Sequence, residues 1–273
     1  MRVDGRKMAS TILAEVRAAL LGKTPVVRAV VVRPSPATMS YLAIKTQRAE
    51  EGGMRLEVVR VEEETEAAVA AAVEAPGADA VIVQLPIPEE LPLESLLARI
   101  PIHKDADVLS ERAYARFDAD VPGALVPPVA QGVWEILSRS GVDVRGKNAV
   151  VVGRGQLVGK PCATLLERNG ASVSVITRST SEEEKRALLQ AADIVVSGAG
   201  KAHLITPELV KGGVVLIDAG TSGQGGGVAG DIHPDCEAKA SVFTPVPGGV
   251  GPVAVSCLFF NTARLLKEGK GLA

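Results

Sequence analysis

Cysteine is scarce in this chain. Only three occur in 273 residues, Cys162, Cys236 and Cys257, widely scattered and with no C-x-x-C pair. Such spacing argues against a disulfide framework or a cysteine zinc site, and it fits a reducing, cytoplasmic setting. Net charge is scarce too. The formal value is -2, which gives no reason to expect a nucleic acid or a membrane surface as partner. No apolar run is long enough to span a bilayer, and the opening MRVDGRKMAS holds no signal-like apolar stretch. Internal repeats are absent, and the one low-complexity tract is glycine-rich, from Gly223 to Gly227.

Apolar residues, by contrast, make up 47% of the chain, enough for a substantial core and too many for disorder. Short β-branched runs alternate with amphipathic stretches from end to end. Strands are predicted at 28–33, 56–61, 79–85, 149–152, 171–176, 193–198 and 214–218. Helices are predicted at 8–21, 40–51, 65–73, 91–99, 129–139, 181–192 and 253–267, with a short one at 207–210. Pro34, Ser35 and Pro36 read as a break after the first strand, and Thr65 as a helix N-cap. The alternation implies an α/β fold with parallel sheets. Two α/β halves are expected, the second a Rossmann-like parallel sheet behind a glycine turn.

The stretch that organises the chain is Gly141 to Gly170. Ala149 to Val152 suits a strand buried on both faces. It stops at Gly153-Arg154-Gly155, and an amphipathic segment follows with Leu157, Ala163, Leu165 and Leu166 on its apolar side. A strand, a glycine turn and a helix in that order let the backbone approach a pyrophosphate at a helix N-terminus. The spacing is G-x-G-x-x-x-G, closing on Gly159, and a turn that binds nothing fits the bare pattern as well. The next strand ends Thr177-Arg178-Ser179-Thr180, with no carboxylate before Glu182. NAD sites commonly place an acid there for the ribose hydroxyls. The planar fork of Arg178 and the hydroxyls of Ser179 and Thr180 suit a 2′-phosphate instead, which points to NADP. Alone, Arg178 also reads as a surface arginine at a strand end.

The first half holds three candidate features. Tyr41 and Lys45 stand four apart on one predicted helix face, where a phenol and an ammonium can hold a flat ring and move a proton. An ordinary exposed lysine beside a packed tyrosine fits the same spacing. Gln84 sits at the carboxyl end of an apolar strand, the end where ligands bind parallel sheets. His103-Lys104-Asp105-Ala106-Asp107 puts two carboxylates in one loop, for a cation, for the amino-imine edge of a ligand, or simply for water. Near the C-terminus, Phe243 to Pro252 is a loop stiffened by prolines and opened by glycines, able to press its backbone against a flat ligand.

In sequence order these stretches resemble the bifunctional methylenetetrahydrofolate dehydrogenase/methenyltetrahydrofolate cyclohydrolase family, nearly end to end. Asp4-Gly5-Arg6 opens the likeness. Tyr41-Leu42-Ala43-Ile44-Lys45 matches the family's Y-x-x-x-K, and Val83-Gln84-Leu85-Pro86-Ile87-Pro88 its V-Q-L-P-L-P. Lys104-Asp105-Ala106-Asp107 matches K-D-V-D, and the run from Gly153 to Pro161 matches G-R-S-x-x-V-G-x-P. Thr244 to Pro252, TPVPGGVGP, matches the family's most distinctive signature.

The resemblance implies roles. Tyr41 would pack by the pterin ring, Lys45 would be the acid/base, and Gln84 would orient it. Asp107 would hold the pterin's amino-imine edge. Pro247, Gly248, Gly249 and Pro252 would line the folate side. Gly153, Arg154, Gly155, Arg178, Ser179 and Thr221 would bind NADP. The implied domains are a folate-binding catalytic domain at 1–141, an NADP-binding domain at 142–243, a signature loop at 244–252, and a closing helix within 253–273 that packs back on the first domain. A homodimer is implied, and no metal is. The chain departs from the family pattern in three places. Val108 stands where the family has glycine. Pro127 to Gly132 replaces P-C-T-P-x-G, and Gly155 replaces the serine of G-R-S. Two rival readings are a monofunctional dehydrogenase and a non-catalytic dinucleotide-binding regulator. Intact Lys45 and Gln84 speak against the first. The second leaves Tyr41, Lys45 and the Pro-Gly loop without a role.

Overall fold

A computed structural model of the chain describes residues 1–224 and 227–268. Gly225 and Gly226 of the glycine tract, and positions 269–273 of the expected closing segment, lie outside the described residues. The chain forms two compact units. One comprises residues 10–128 with the chain from Val255 onward, and the other residues 1–9 with 129–254. The division falls inside the first and last helices, so each of those helices contributes to both units.

Helix α1 (Gly5–Ala19) starts where the Asp4 side chain accepts the Lys7 N–H at 3.0 Å. It buries Ile12, Leu13 and Val16. Strand β1 (Val26–Val32) is buried along nearly all its length. Helix α2 (Pro36–Glu51) begins four residues before its predicted start. The Pro34–Pro36 stretch therefore does more than end a strand. Ser35 caps the helix by accepting the Thr38 N–H at 3.1 Å, and Pro36 supplies a φ already suited to the first turn. Strand β2 (Arg55–Val61) and helix α3 (Glu66–Glu74) follow, the latter capped by Thr65 as expected. Strand β3 (Ala80–Val83) is all buried and ends just before Gln84. The sheet is parallel in the order β2-β1-β3. Its core joins Val30, Val32, Val69, Val81 and Val83 to Leu96 and Ile100. Helix α4 (Leu93–Ala98) and a 3₁₀ turn at Ile102–Lys104 lead to helix α5 (Glu111–Asp118), which the apolar pattern does not predict.

In the second unit, helix α6 (Pro128–Arg139) precedes strand β4 (Asn148–Val152). Helix α7 (Gly159–Arg168) buries Cys162, Leu165 and Leu166, whereas Leu157 lies ahead of the helix and is exposed, contrary to the expected apolar face. Strand β5 (Ser172–Ile176), helix α8 (Glu182–Ala191), strand β6 (Ile194–Ser197) and strand β7 (Val214–Asp218) complete most of the sheet. A small antiparallel hairpin, β8 (Ser222–Gln224) with β9 (Gly227–Ala229), is absent from the sequence reading, as is strand β10 (Ala240–Phe243). The five-stranded sheet is parallel in the order β10-β7-β6-β4-β5. That pattern is Rossmann-like, with β4 between β6 and the edge strand β5 and its carboxyl end leading into the glycine turn. Helix α9 (Val250–Glu268) closes the described chain. All three cysteines are free and buried, and burial pushes the Cys162 thiol up to about 12.

Candidate active site

In the first unit, α2 and the end of β3 bring Lys45 and Gln84 together. The Lys45 ammonium donates to Gln84 Oε1 at 2.8 Å, and Gln84 Nε2 donates to the Leu85 carbonyl at 2.7 Å. The second bond fixes the amide, so its oxygen must face the lysine. Burial lowers the Lys45 pKa, and the nearby Asp107 carboxylate opposes that shift. Burial likewise raises the Asp107 pKa, opposed by Lys45 and assisted by Asp105. Tyr41 stands one turn before Lys45 on α2, its ring exposed.

The loop that carries Asp107 is built from its backbone. Asp105 is fully buried and accepts the N–H groups of Leu109 at 3.2 Å and Ser110 at 2.9 Å. From α9, Asn261 Nδ2 donates to the carbonyls of Ala106 and Val126, each at 2.9 Å. Val108, between them, has φ of +55° and is buried. This is the left-handed conformation that favours glycine, which gives the family's usual residue there a physical reason.

In the second unit, the carboxyl ends of β4, β5 and β6 open onto a cavity of about 970 Å³. Gly153, Arg154, Gly155, Arg178 and Ser179 line it, as do Lys185 and Lys201, which sequence reasoning missed. Glycine is needed at its floor. Gly153 has φ of +100°, and a Cβ on it would stand 2.9 Å from the Gly198 carbonyl oxygen. A Cβ on Gly159 would collide with the Gly153 carbonyl. Gly155 is different, because nothing lies within 4 Å of where its Cβ would be, so the fold leaves room there for a serine. The Ser179 hydroxyl lies 2.8 Å from that of Thr177, while Arg178 is exposed. Lys185 pairs with Glu182 at 2.5 Å, and its side chain is largely covered. Thr221 does not line the cavity, although its carbonyl lies 3.8 Å from the Cβ position of Gly200, which does.

The Thr244 to Gly249 loop runs from β10 into α9 in this same unit. Gly5 donates to the Gly248 carbonyl at 3.0 Å, and a Cβ on Gly5 would collide with the Gly249 carbonyl. The opening Asp4-Gly5-Arg6 motif therefore backs the signature loop. Gly249 N–H turns back to the Pro245 carbonyl at 2.8 Å, and Gly248 has φ of +105°. Thr244 is buried and its hydroxyl accepts the Asp218 N–H at 2.7 Å. Within the unit, Gly132 of α6 closely approaches the start of α9, a Cβ there standing 3.1 Å from the Ala254 nitrogen. Two buried carboxylates, Asp218 and Asp231, lie behind these loops, and no local spacing in the sequence links them. Among the described residues, no group of three or more histidine, cysteine or acidic side chains is arranged for a metal, and no helix is long and apolar enough to cross a membrane.

Comparison with known proteins agrees across both halves. Residues 3–107 match the catalytic domain, and residues 127–270 the NAD(P)-binding domain, of tetrahydrofolate dehydrogenase/cyclohydrolase. The Bifunctional protein FolD of Heliobacterium modesticaldum is 35% identical, over 99% of this chain and 98% of its own length. That of Thermus thermophilus is 36% identical, over 97% of this chain and 96% of its own. The crystal structure of the FolD methylenetetrahydrofolate dehydrogenase/cyclohydrolase from Campylobacter jejuni superposes with a TM-score of 0.93 at 28% identity, covering 98% of this chain and 99% of that one. The Trypanosoma brucei enzyme, solved with NADP cofactor and inhibitor, gives 0.92 at 33% identity, covering 99% of this chain and 98% of that one. With a lysine–glutamine pair in one unit, a glycine-floored cavity in the other and relatives matched end to end, the chain belongs to the tetrahydrofolate dehydrogenase/cyclohydrolase family.

Proposed function

We propose that this chain oxidises 5,10-methylenetetrahydrofolate with NADP and hydrolyses the 5,10-methenyl product to 10-formyltetrahydrofolate. The observation that carries the reading is the Lys45–Gln84 pair, a lysine held at 2.8 Å by a fixed amide and pushed by burial toward its neutral form. A neutral amine takes a proton and, once charged, returns one.

NADP, when bound, accepts the hydride from the methylene carbon. The cavity residues suit it. Gly153 and Gly159 let the backbone come close to a pyrophosphate, and Arg178 offers a forked donor to a 2′-phosphate. In the hydrolysis, water adds to the cationic methenyl carbon, and Lys45 receives the proton that the water loses. The bond from that carbon to N5 then breaks, and N5 gains a proton from the ammonium. Gln84 keeps the amine aimed through both transfers. Asp107 accepts the amino-imine edge of the pterin, and Tyr41 packs on the ring. Pro247, Gly248, Gly249 and Pro252 line the folate. The cleft between lobes, the homodimer and the cytoplasmic location are part of this reading and rest on the family resemblance.

The test is spectrophotometric. Methylenetetrahydrofolate should be oxidised faster with NADP than with NAD, and methenyltetrahydrofolate should be hydrolysed without either. Oxidation without enzymatic hydrolysis would leave a monofunctional dehydrogenase. Cofactor binding with neither turnover would leave a regulator.

A further inference from the structure

Asp231 follows strand β9 and is fully buried. Its Oδ2 accepts the Ser197 hydroxyl at 2.7 Å and the N–H groups of Ala199 at 2.7 Å and Gly200 at 3.3 Å. Its Oδ1 accepts the Lys201 N–H at 2.7 Å. Ser197 ends β6, and Ala199, Gly200 and Lys201 are cavity lining. Three successive backbone N–H groups therefore converge on one carboxylate lying behind the wall. A loop that must face a ligand gains a single shape when its donors are satisfied from the far side. Space for that carboxylate is reserved. A Cβ on Gly220, just past β7, would occupy the position of the Asp231 carboxyl group.

The backbone of Asp231 is held separately. Asp218 Oδ1 accepts the Asp231 N–H at 3.2 Å, and Asp218 Oδ2 the Ile232 N–H at 2.8 Å. The signature loop meets Asp218 through the Thr244 hydroxyl, as described above. The two carboxylates thus divide the work. The Asp218 carboxylate serves the turns after β7 and β9, its backbone N–H meets the signature loop, and the Asp231 side chain serves the wall at Ser197 to Lys201.

We propose that Asp231 is a positioning residue for the nicotinamide cofactor, its carboxylate setting the shape of the Ala199–Lys201 wall against which the cofactor lies. The proposal rests on the cofactor reading above, and the two fail differently.

Asp231→Asn keeps the size of the side chain but turns one acceptor oxygen into a donor, which must then face a backbone N–H it cannot satisfy. Fluorescence titration with NADPH should give a Kd raised roughly 10- to 100-fold. The KM for NADP should rise with it while kcat changes little. Hydrolysis of methenyltetrahydrofolate consumes water and no cofactor, so its rate should stay within about twofold. Ser197→Ala removes one donor and leaves the carboxylate, so the Kd should rise by roughly threefold. Wild-type affinity in Asp231→Asn would overturn the proposal, and so would equal losses of cofactor binding and hydrolysis in both variants. Should Asp231→Asn prove insoluble, wild-type affinity in Ser197→Ala overturns it alone. A wild-type protein that binds no NADPH would instead sink the cofactor reading.

Discussion

A lysine in water keeps its proton up to high pH, and Lys45 is denied that ease. Desolvation lowers its pKa, and Asp107 restores only part of the charge preference. Hydride transfer calls for orientation and little proton traffic at the reacting carbon. Hydrolysis calls for proton removal and proton delivery, and acid–base help of that kind is worth about 10²- to 10⁴-fold. Lys45→Met keeps the length and removes the titrating group. The cyclohydrolase rate should fall by about that factor, and the dehydrogenase rate much less, through looser positioning alone. The ratio of the two rates at saturating substrate is the measurement, and an unchanged ratio would assign Lys45 to binding only. In the wild type, the base form of Lys45 should appear below the ordinary lysine range, so hydrolysis should gain rate as pH rises toward that range. At this scale the sequence is legible where a motif is local. Tyr41 and Lys45 share a helix turn, and Gln84 closes an apolar strand. Lys185 and Lys201 escape notice because only the fold carries them to the cavity reached by Arg178.

Elements show where local pattern stops being informative. Ser35 and Pro36 carry the signals of a helix start, yet their prolines read equally as a break, and the difference is decided by the Thr38 N–H that Ser35 receives. Helix α5 buries only Ala113 and Phe117, too few apolar positions to declare a period, although its Ser110 cap is visible in hindsight of the 3.2 Å bond to Ala113. Strand β10 escapes because Ala240 to Phe243 is only four residues long, too short a run to declare a period before the proline-rich loop. The Asp218–Asp231 pair is illegible for another reason, since its partners come from four segments separated along the chain. That pair has a consequence for strand β7 and the turn it anchors. Burial, with Asp231 adding to it, raises the Asp218 pKa to about 7, against the three N–H groups that favour its charge. The folded state therefore keeps a proton that the unfolded chain releases near 3.8. Stability from this group is present below that window and is lost as pH rises toward about 7. Measured by urea unfolding without ligand, the free-energy difference of wild type minus Asp218→Asn should fall by about 2–3 kcal/mol between pH 5 and pH 8. A constant or rising difference would mean that Asp218 is already ionised at the lower pH.

At the scale of the whole molecule, the chemistry is divided between the two units. Lys45, Gln84 and Asp107 all belong to the unit built on residues 10–128, and every residue lining the 970 Å³ cavity belongs to the other. The family's two matched domains follow the same division of labour, catalytic in one half and NAD(P)-binding in the other. On the proposed reading, hydrolysis makes no use of the cavity, whereas oxidation uses both sets. Single changes should therefore separate the functions in opposite directions. Arg178→Ala removes a charged donor worth roughly 1.5–3 kcal/mol to a phosphate, about 10- to 100-fold in NADP affinity, and should leave NAD affinity and the hydrolysis rate near wild type. Lys45→Met should show the converse, with NADPH bound at wild-type affinity and hydrolysis nearly lost. Fluorescence titrations with NADPH and with NADH and an absorbance assay of methenyl hydrolysis, all run on both variants, give six values. If Arg178→Ala weakens NAD and NADP equally, Arg178 does not read the 2′-phosphate. If either variant loses both functions together, the two sets of residues do not act independently, and the division of labour fails.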